Sequence, residues 1–363
     1  MKMRTQILLI ALGVTVAAAA QGQPAQIRHG HLHSEAVAGG FEKTISKLLS
    51  TGAAPSWIAW SAPMIERRYH CCFETSRDWD RSPCGGCSLE DGHRNGASID
   101  SDSDDCGGLE GSRTLLVFVR FEEKQPSRIR TFSQDCPVDA GDQSVVWLTG
   151  VAPAESVAFL EKIAGSQGSE HDSARHTRST AIAVIAMHDD ASADAALERL
   201  VAQGKPDAVR RQATFWLGNA RGRRGYEVLR QLAQSDPSGE LRKHVTFALS
   251  QSREPEAIDT LIGMAKNDRA PEVRSQALFW LAQKAGKKGA AAIEEAIRDD
   301  PETEVKKRAV FALTQLPKDE GVPELIRVAR TNRNPAVRKQ AFFWLGQSKD
   351  PRALAFFEEV LTK

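Results

Sequence analysis

Six cysteines, Cys71, Cys72, Cys84, Cys87, Cys106 and Cys136, are gathered between positions 71 and 136, and the rest of the chain has none. Cys84-Gly85-Gly86-Cys87 places two thiols on one turn, a spacing that suits a tetrahedral thiolate metal site or a dithiol redox couple. A metal site would want a second well-spaced pair, whereas Cys71-Cys72 is vicinal and His70 and His93 stand alone. An even count in a loop-rich segment favours disulfides, for which six cysteines allow about fifteen pairings. All six are therefore disulfide candidates, with a thiol-redox or metal-dependent activity as the alternative. His29, His31 and His33 alternate, so a strand would project the three imidazoles from one face, where a transition metal could meet them. An edge strand that turns polar side chains to solvent is the favoured reading, since no carboxylate or further His is fixed nearby. Asp100, Asp102, Asp104 and Asp105 are spaced like the first ligands of a calcium loop. Asp105 stands where the sharp turn wants glycine and Gly111 where a bidentate glutamate is wanted, so the run reads as a solvated acidic loop.

The compartment decides which of these uses is available. Lys2 and Arg4 precede an apolar run from Ile7 to Ala20, and Ala18-Ala19-Ala20 offers small residues for cleavage. Residues 1–20 thus read as a signal peptide, and the run is shorter than the ~20 residues a transmembrane helix needs. The mature chain is expected to be periplasmic or secreted, without a stable membrane anchor. Forty-eight Lys and Arg against 47 Asp and Glu lack the basic surplus of a phosphate-neutralising protein, so no nucleic acid is expected as a partner.

Residues 25–150 form a small α+β domain in this reading. Strands are expected at 26–37, 57–65, 114–121, 128–133 and 144–149, with a short helix at 40–49. Gln125-Pro126-Ser127 sits where a hairpin turn would fall, which favours an antiparallel sheet. The insertion 67–112 is rich in Gly, Asp, Ser and Cys and too poor in aliphatics to order itself, so crosslinks are its natural remedy. Composition changes near residue 150: residues 21–150 carry 13 basic and 18 acidic side chains, residues 151–363 carry 33 and 29. Residues 151–176 read as a transition helix and linker.

From 177 to 363 the sequence repeats itself. Val209-Arg210, Leu241-Arg242, Val273-Arg274, Val305-Lys306 and Val337-Arg338 recur every 32 residues, and Thr177-Arg178 extends the register back by one unit. Phe215, Phe247, Phe279, Phe311 and Phe343 form one column and Leu217, Leu249, Leu281, Leu313 and Leu345 another. About six helical hairpins follow, stacked as an α-solenoid, and the fold class is mainly α. The first helix of each unit is apolar on two flanks, as a helix sandwiched between neighbours must be. The second carries a single stripe through Leu197, Leu229, Leu261, Ile293, Leu325 and Phe357. Its polar side, with Arg199, Arg230, Glu294, Arg298, Arg327, Arg330 and Glu358, is expected to line the concave surface and to bind protein.

Asp236-Pro237, Asp300-Pro301 and their counterparts separate the units, and the recurring Asp with the basic residue after each anchor predicts a ladder of salt bridges. Trp216, Trp280 and Trp344 alternate with Ala248 and Ala312 and are expected to interdigitate in the packing. Phe342 and Phe356 make the last unit a candidate homotypic contact, unless the rings fold over the end of the core.

The Asp-Pro turn, the Val-Arg anchor and the paired Leu-rich helices resemble HEAT repeats of the short phycobilisome-lyase-like type, over about half the sequence. Phe343-Trp344-Leu345-Gly346-Gln347 followed by Asp350-Pro351-Arg352-Ala353-Leu354 also resembles exported bacterial proteins of this kind. The resemblance implies an α-solenoid that binds another protein, and with no nucleophile-elbow, phosphate-loop or metalloprotease motif in the sequence the expectation is a non-enzymatic scaffold without a cofactor. Some relatives are di-iron hydroxylases with His-Glu pairs at helix starts. No His-Glu dipeptide is present, and His171, His176, His188 and His244 do not recur by repeat.

Overall fold

The computed structural model describes residues 25–51, 55–65, 88–90, 113–134, 137–166 and 172–362. The expected signal peptide, all six cysteines, the acidic run from Asp100 and nearly all of the 67–112 insertion lie outside these residues.

Five strands form one sheet: β1 (Ile27–Ala36), β2 (Trp57–Pro63), β3 (Thr114–Glu122), β4 (Gln125–Ser133) and β5 (Val138–Thr149). Their order is β1-β5-β2-β3-β4. The expected antiparallel sheet is half right, because β1 and β2 both run parallel to β5 while β2, β3 and β4 are antiparallel. The reason lies in α1 (Phe41–Ser50), which leads from β1 to β2 as a crossover helix and so forces these strands to point the same way. The hairpin turn also moves. Glu123 and Lys124 make it with positive φ (50° and 64°), as a two-residue loop of matching twist requires, and Pro126 lies on the edge strand β4, where a missing N–H is tolerated.

Alternation along the strands buries both faces. Ile58, Trp60, Leu115, Val117, Val119 and Ile129 join the main core, whereas Trp57, Ala59, Leu116, Phe118, Phe132 and Trp147 form a second cluster on the other side. Ser88–Glu90, the described part of the insertion, is pinned to that second face. Leu89 is buried there and donates its N–H to the Asp139 carbonyl (2.8 Å), while Glu90 accepts from Trp57 Nε1 (3.1 Å) and Arg120 (2.8 Å).

The main core does not stop at residue 150. Helix α2 (Pro153–Gly165) packs on α1, on β2 and on the next two helices, α3 (Asp172–Met187) and α4 (Ala191–Val201). It occupies the place of a second helix preceding the first hairpin. Trp60 Nε1 donates to Ser156 Oγ (2.8 Å), which contacts His188 Nε2 (2.8 Å), and His188 Nδ1 meets the Val184 carbonyl (2.7 Å). The Val184 carbonyl can only accept, so Nδ1 of the neutral ring carries the hydrogen, and Nε2 accepts the hydroxyl proton of Ser156, which in turn accepts from the indole. This relay is directional and fully buried. Burial lowers the His188 pKa from 6.5 to about 4 and keeps the ring neutral. Backbone bonds Ile65 N to Met187 O and Asp189 N to Pro63 O tie β2 to the same place, which Arg221 clamps through the carbonyls of Ala186 and His188.

Five further hairpins complete the array: α5 (Asp207–Ala220) with α6 (Gly222–Ser235), α7 (Gly239–Gln251) with α8 (Glu256–Asn267), α9 (Pro271–Lys284) with α10 (Gly286–Asp299), α11 (Thr303–Leu313) with α12 (Lys318–Thr331), and α13 (Pro335–Gln347) with α14 (Pro351–Leu361). Each buries its anchor and its leucine column, and Leu197, Leu229, Leu261, Ile293 and Leu325 fill the seam between layers. In the last unit Phe356 takes the buried place and Phe357 is only half-buried. Within three hairpins the helices approach so closely that a Cβ on Gly225, Gly289 or Gly321 would sit 2.0, 2.3 or 2.3 Å from the carbonyl oxygen of Leu217, Leu281 or Leu313. Only glycine permits that approach.

Candidate functional site

The expected salt-bridge ladder is present and buried. Arg210 pairs with Asp236; Arg242 holds Asp268 by two bonds of 2.8 Å; Arg274 holds Asp300 at 2.7 and 3.0 Å. Each aspartate also accepts from a backbone N–H two residues on, those of Ser238, Ala270 and Glu302, and so shapes the turn into the next unit. Arg242 and Arg274 reach back as well, to the carbonyls of Asp236 and Asp268, so each guanidinium ties its own unit to the preceding one. Burial alone would raise the Asp268 pKa, but the Arg242 bonds and the Ala270 N–H outweigh it and hold the carboxyl below its ordinary value. In the fifth unit the acid becomes Asn332, and Lys306 turns instead to the Arg298 carbonyl at 2.8 Å. The three aspartate-paired arginines are frame, with no free valence for an anionic ligand.

The two helix layers are packed unequally. At every step the first helices α3, α5, α7, α9, α11 and α13 pack more closely on one another than do the second helices beside them. The first helices thus form the more tightly packed of the two layers, and the second helices the looser one. The cause is side-chain size at the contacts. Small residues such as Ala213, Ala248, Gly218 and Ala277 let first helices close up, and a Cβ on Gly218 would lie 2.2 Å from the Ala248 carbonyl oxygen. The seven polar residues named from the sequence sit on the second-helix layer. Arg199 forks onto Glu161 of α2 (2.8 and 2.7 Å), Arg327 reaches Glu294 (3.2 Å), Arg330 pairs with Glu359, Arg298 with its neighbour Asp299 (2.9 Å), and Arg230 and Glu358 are exposed. Arg199, Arg327 and Arg330 thus lace neighbouring second helices.

The exposed side of the first helices carries two columns. One is aromatic: Phe215 stacks on Phe247 (5.8 Å between centroids), Phe247 meets Trp280 (4.9 Å), Phe279 stacks on Phe311 (6.4 Å) and Phe311 meets Trp344 (5.0 Å). Where alanine replaces tryptophan, two phenylalanines stack directly, which is how the large-small alternation interlocks. Trp216 is buried, whereas Trp280 and Trp344 are half-buried at the surface. The other column is amide: Asn219, Gln251, Gln283 and Gln347, one turn beyond each Phe on the same side of its helix, and Gln315 at the same spacing in the turn that follows α11. Gln283 and Gln315 touch across units, Nε2 to Oε1, at 3.4 Å. Sequence reasoning overlooked this column although its 32-residue spacing was there to see. Midway along, Arg211, Glu240, Lys243, His244 and Gln276 rim a cavity of about 340 Å3 with Phe247 and Trp280 in its wall.

Elsewhere, His29 leaves the alternating register: its φ is 47° at a bulge, and its Nδ1 contacts Asp139 Oδ2 at 3.0 Å. It no longer shares a regular face with His31 and His33, and no three metal-ligating side chains come together among the described residues. At the last unit Phe342 and Phe356 pack on each other (5.4 Å), with Phe356 buried, so these rings close over the core. Phe343, Leu354, Val360 and Leu361 of that unit remain exposed. No helix among the described residues is long and apolar enough to cross a membrane.

These features define a two-layer α-solenoid capped at its start by a mixed α/β sheet. Its repeats are HEAT repeats: the family model of that description matches residues 201–282 and 290–363. No curated protein matches the sequence. Among solved structures it is similar to Kap121p (15% identity over 52% of this protein and 25% of that one, TM-score 0.34). It is also similar to human deoxyhypusine hydroxylase in complex with glycerol (21%, 55% and 81%, TM-score 0.24) and to the CpcE–CpcF complex of phycocyanin lyase from Nostoc (17%, 54% and 76%, TM-score 0.29). The protein spans about a quarter of the length of Kap121p. Similarity this slight carries nothing of what those proteins do.

Proposed function

We propose that this protein is a non-enzymatic exported scaffold, periplasmic or secreted, that binds another protein through the exposed face of the first helices of its HEAT array. The observation that carries the reading is the repetition of one aromatic ring and one amide per unit along that face, over five units. A repeated surface of this kind offers the same contact many times over, which suits adhesion and not the single convergent geometry that catalysis requires. The apolar run at 7–20 supports export, and the exposed apolar side chains of the last unit support a homotypic contact there.

A photo-crosslinking residue placed at Gln283 or at Arg298 of the full protein, expressed with its leader, tests the face. Protein adducts are expected from Gln283 and not from Arg298. Adducts from neither position would overturn the scaffold reading. Intact mass with and without alkylation tests the alternative: a deficit of about six hydrogens without metal fits three structural disulfides, whereas free thiols with bound metal would move the function to residues 71–136.

A further inference from the structure

Resting on the homotypic contact of the scaffold reading, we propose its partner and its symmetry: the outward face of the last hairpin, α13 with α14, binds the same face of a second copy of this protein, tail to tail across a two-fold axis.

That face is made like the joint between units. Leu361 stands in a column held in the earlier second helices by Val201, Ala233, Ala265, Ile297 and Ala329. Those five are 2 to 8% exposed, whereas Leu361 is 84% exposed. Leu354, 63% exposed, continues the column of Tyr226 and Val322, both buried. These positions look toward the following unit: Tyr226 Oη meets Thr260 Oγ1 of α8 at 3.0 Å. Exposed Gly346 continues the column of Gly218, which abuts the backbone of α7 in the next hairpin. On α14, Leu354, Phe357 and Leu361 share one stripe at helical spacing, and on α13 Phe343 ends the column whose rings stack between earlier units. A repeat that closes an array turns polar side chains outward, but this one keeps the residues of an interior joint. Burying them against a matching surface removes the cost of that exposure.

The other end of the array selects the partner. Helix α2 packs on α3 and α4, and β4 packs on α3, so the outward face of the first hairpin is covered. Head-to-tail stacking of copies into a filament is thereby blocked. The uncovered joint surface left for a second copy to offer is its own last hairpin, and same face on same face is the isologous arrangement that a two-fold axis closes. Gly346 lets the facing backbone come close there.

Size sets the strength. Helices of 13 and 11 residues, rising about 1.5 Å per residue and about 10 Å across, present a joint face on the order of 400 Å2. Two such faces cover roughly 800 Å2 in projection, below the ~1,200 Å2 at which standard stable interfaces begin. The dimer should therefore form and part with concentration.

Sedimentation velocity on the full protein, across about 1 to 300 µM, is expected to show an equilibrium that stops at the dimer. Leu361→Lys and Leu354→Glu should each weaken that dimer at least about tenfold. Both side chains are exposed in the single copy, so thermal melting should not move. A photo-crosslinking residue at Leu361 should give a product of twice the mass of the chain, its link mapping to α13 or α14 of the second copy. Monomer throughout, growth past the dimer, equal association by both variants, or a link to the sheet or to a different protein would each overturn the inference. So would a dimer that persists in denaturant without reductant, which would be held by cysteines. A protein adduct from Gln283 on a protein that stays monomeric would sink this inference and leave the scaffold reading standing.

Discussion

The sheet and the array solve the burial problem in opposite ways. In the sheet each contact occurs once: Trp57, Trp60 and Trp147 are all fully buried, on two faces of one layer, by strands brought together from distant parts of the sequence. In the array the same contacts recur every 32 residues and are made mostly between neighbours. The difference teaches where polar groups can be spent. The array repeats a buried Arg-Asp pair as a spacer, while the sheet uses a single buried polar relay, Trp60 to Ser156 to His188, to bolt itself to the array.

That contrast is open to direct challenge. Leu281→Asp puts an unpaired charge in a central, fully buried interface and should cost several kcal/mol, unfolding the array. Because one core runs from Phe41 to Phe356, the sheet should melt with it; a sheet signal retained at the parent temperature in calorimetry would show two independent regions. Arg242→Ala, which leaves Asp268 buried without its partner, should cost about 3–5 kcal/mol in urea unfolding. Lys306→Ala should cost less than about 1 kcal/mol, since that side chain is half-buried and serves one carbonyl. Equal losses would mean that the buried pairs are not the frame.

The bolt should be sensitive to acid. The folded pKa of His188 is lowered to about 4 against 6.5 unfolded, so between these values the unfolded state binds the extra proton and folding weakens as pH falls. The loss should approach about 3 kcal/mol by pH 4. Asp268 acts lower: its stabilisation is complete above its unfolded value of 3.8 and disappears as pH drops through its depressed folded pKa. Unfolding measured from pH 7 to 4 should show a slope that His188→Gln reduces; an unchanged slope would place the titration elsewhere. The smallest effect is expected at the exposed Arg298→Ala of the second-helix layer, with no measurable shift in unfolding and no loss of partner binding.

Much of the array was legible before any coordinates. A 32-residue period names the fold because each unit's contacts are local and are written out repeatedly, and the Asp-Arg spacing foretold the ladder for the same reason. The amide column was equally legible and was overlooked, since surface polar residues on a helix look like solvation until five of them align. The second helices, by contrast, drew attention because Arg and Glu are conspicuous, although their charges are consumed by Arg199 on Glu161 and Arg327 on Glu294.

From residue types and spacing alone followed the helical hairpins, their number, the buried columns and the α+β character of the first domain, because hydrophobic periodicity is a local property of the sequence. Tertiary structure decided the insertion of β5 between β1 and β2, the departure of His29 from its neighbours, and which helical layer packs more tightly. Each of these depends on how closely distant segments approach, and that distance is set by packing across the whole assembly, which no local pattern records.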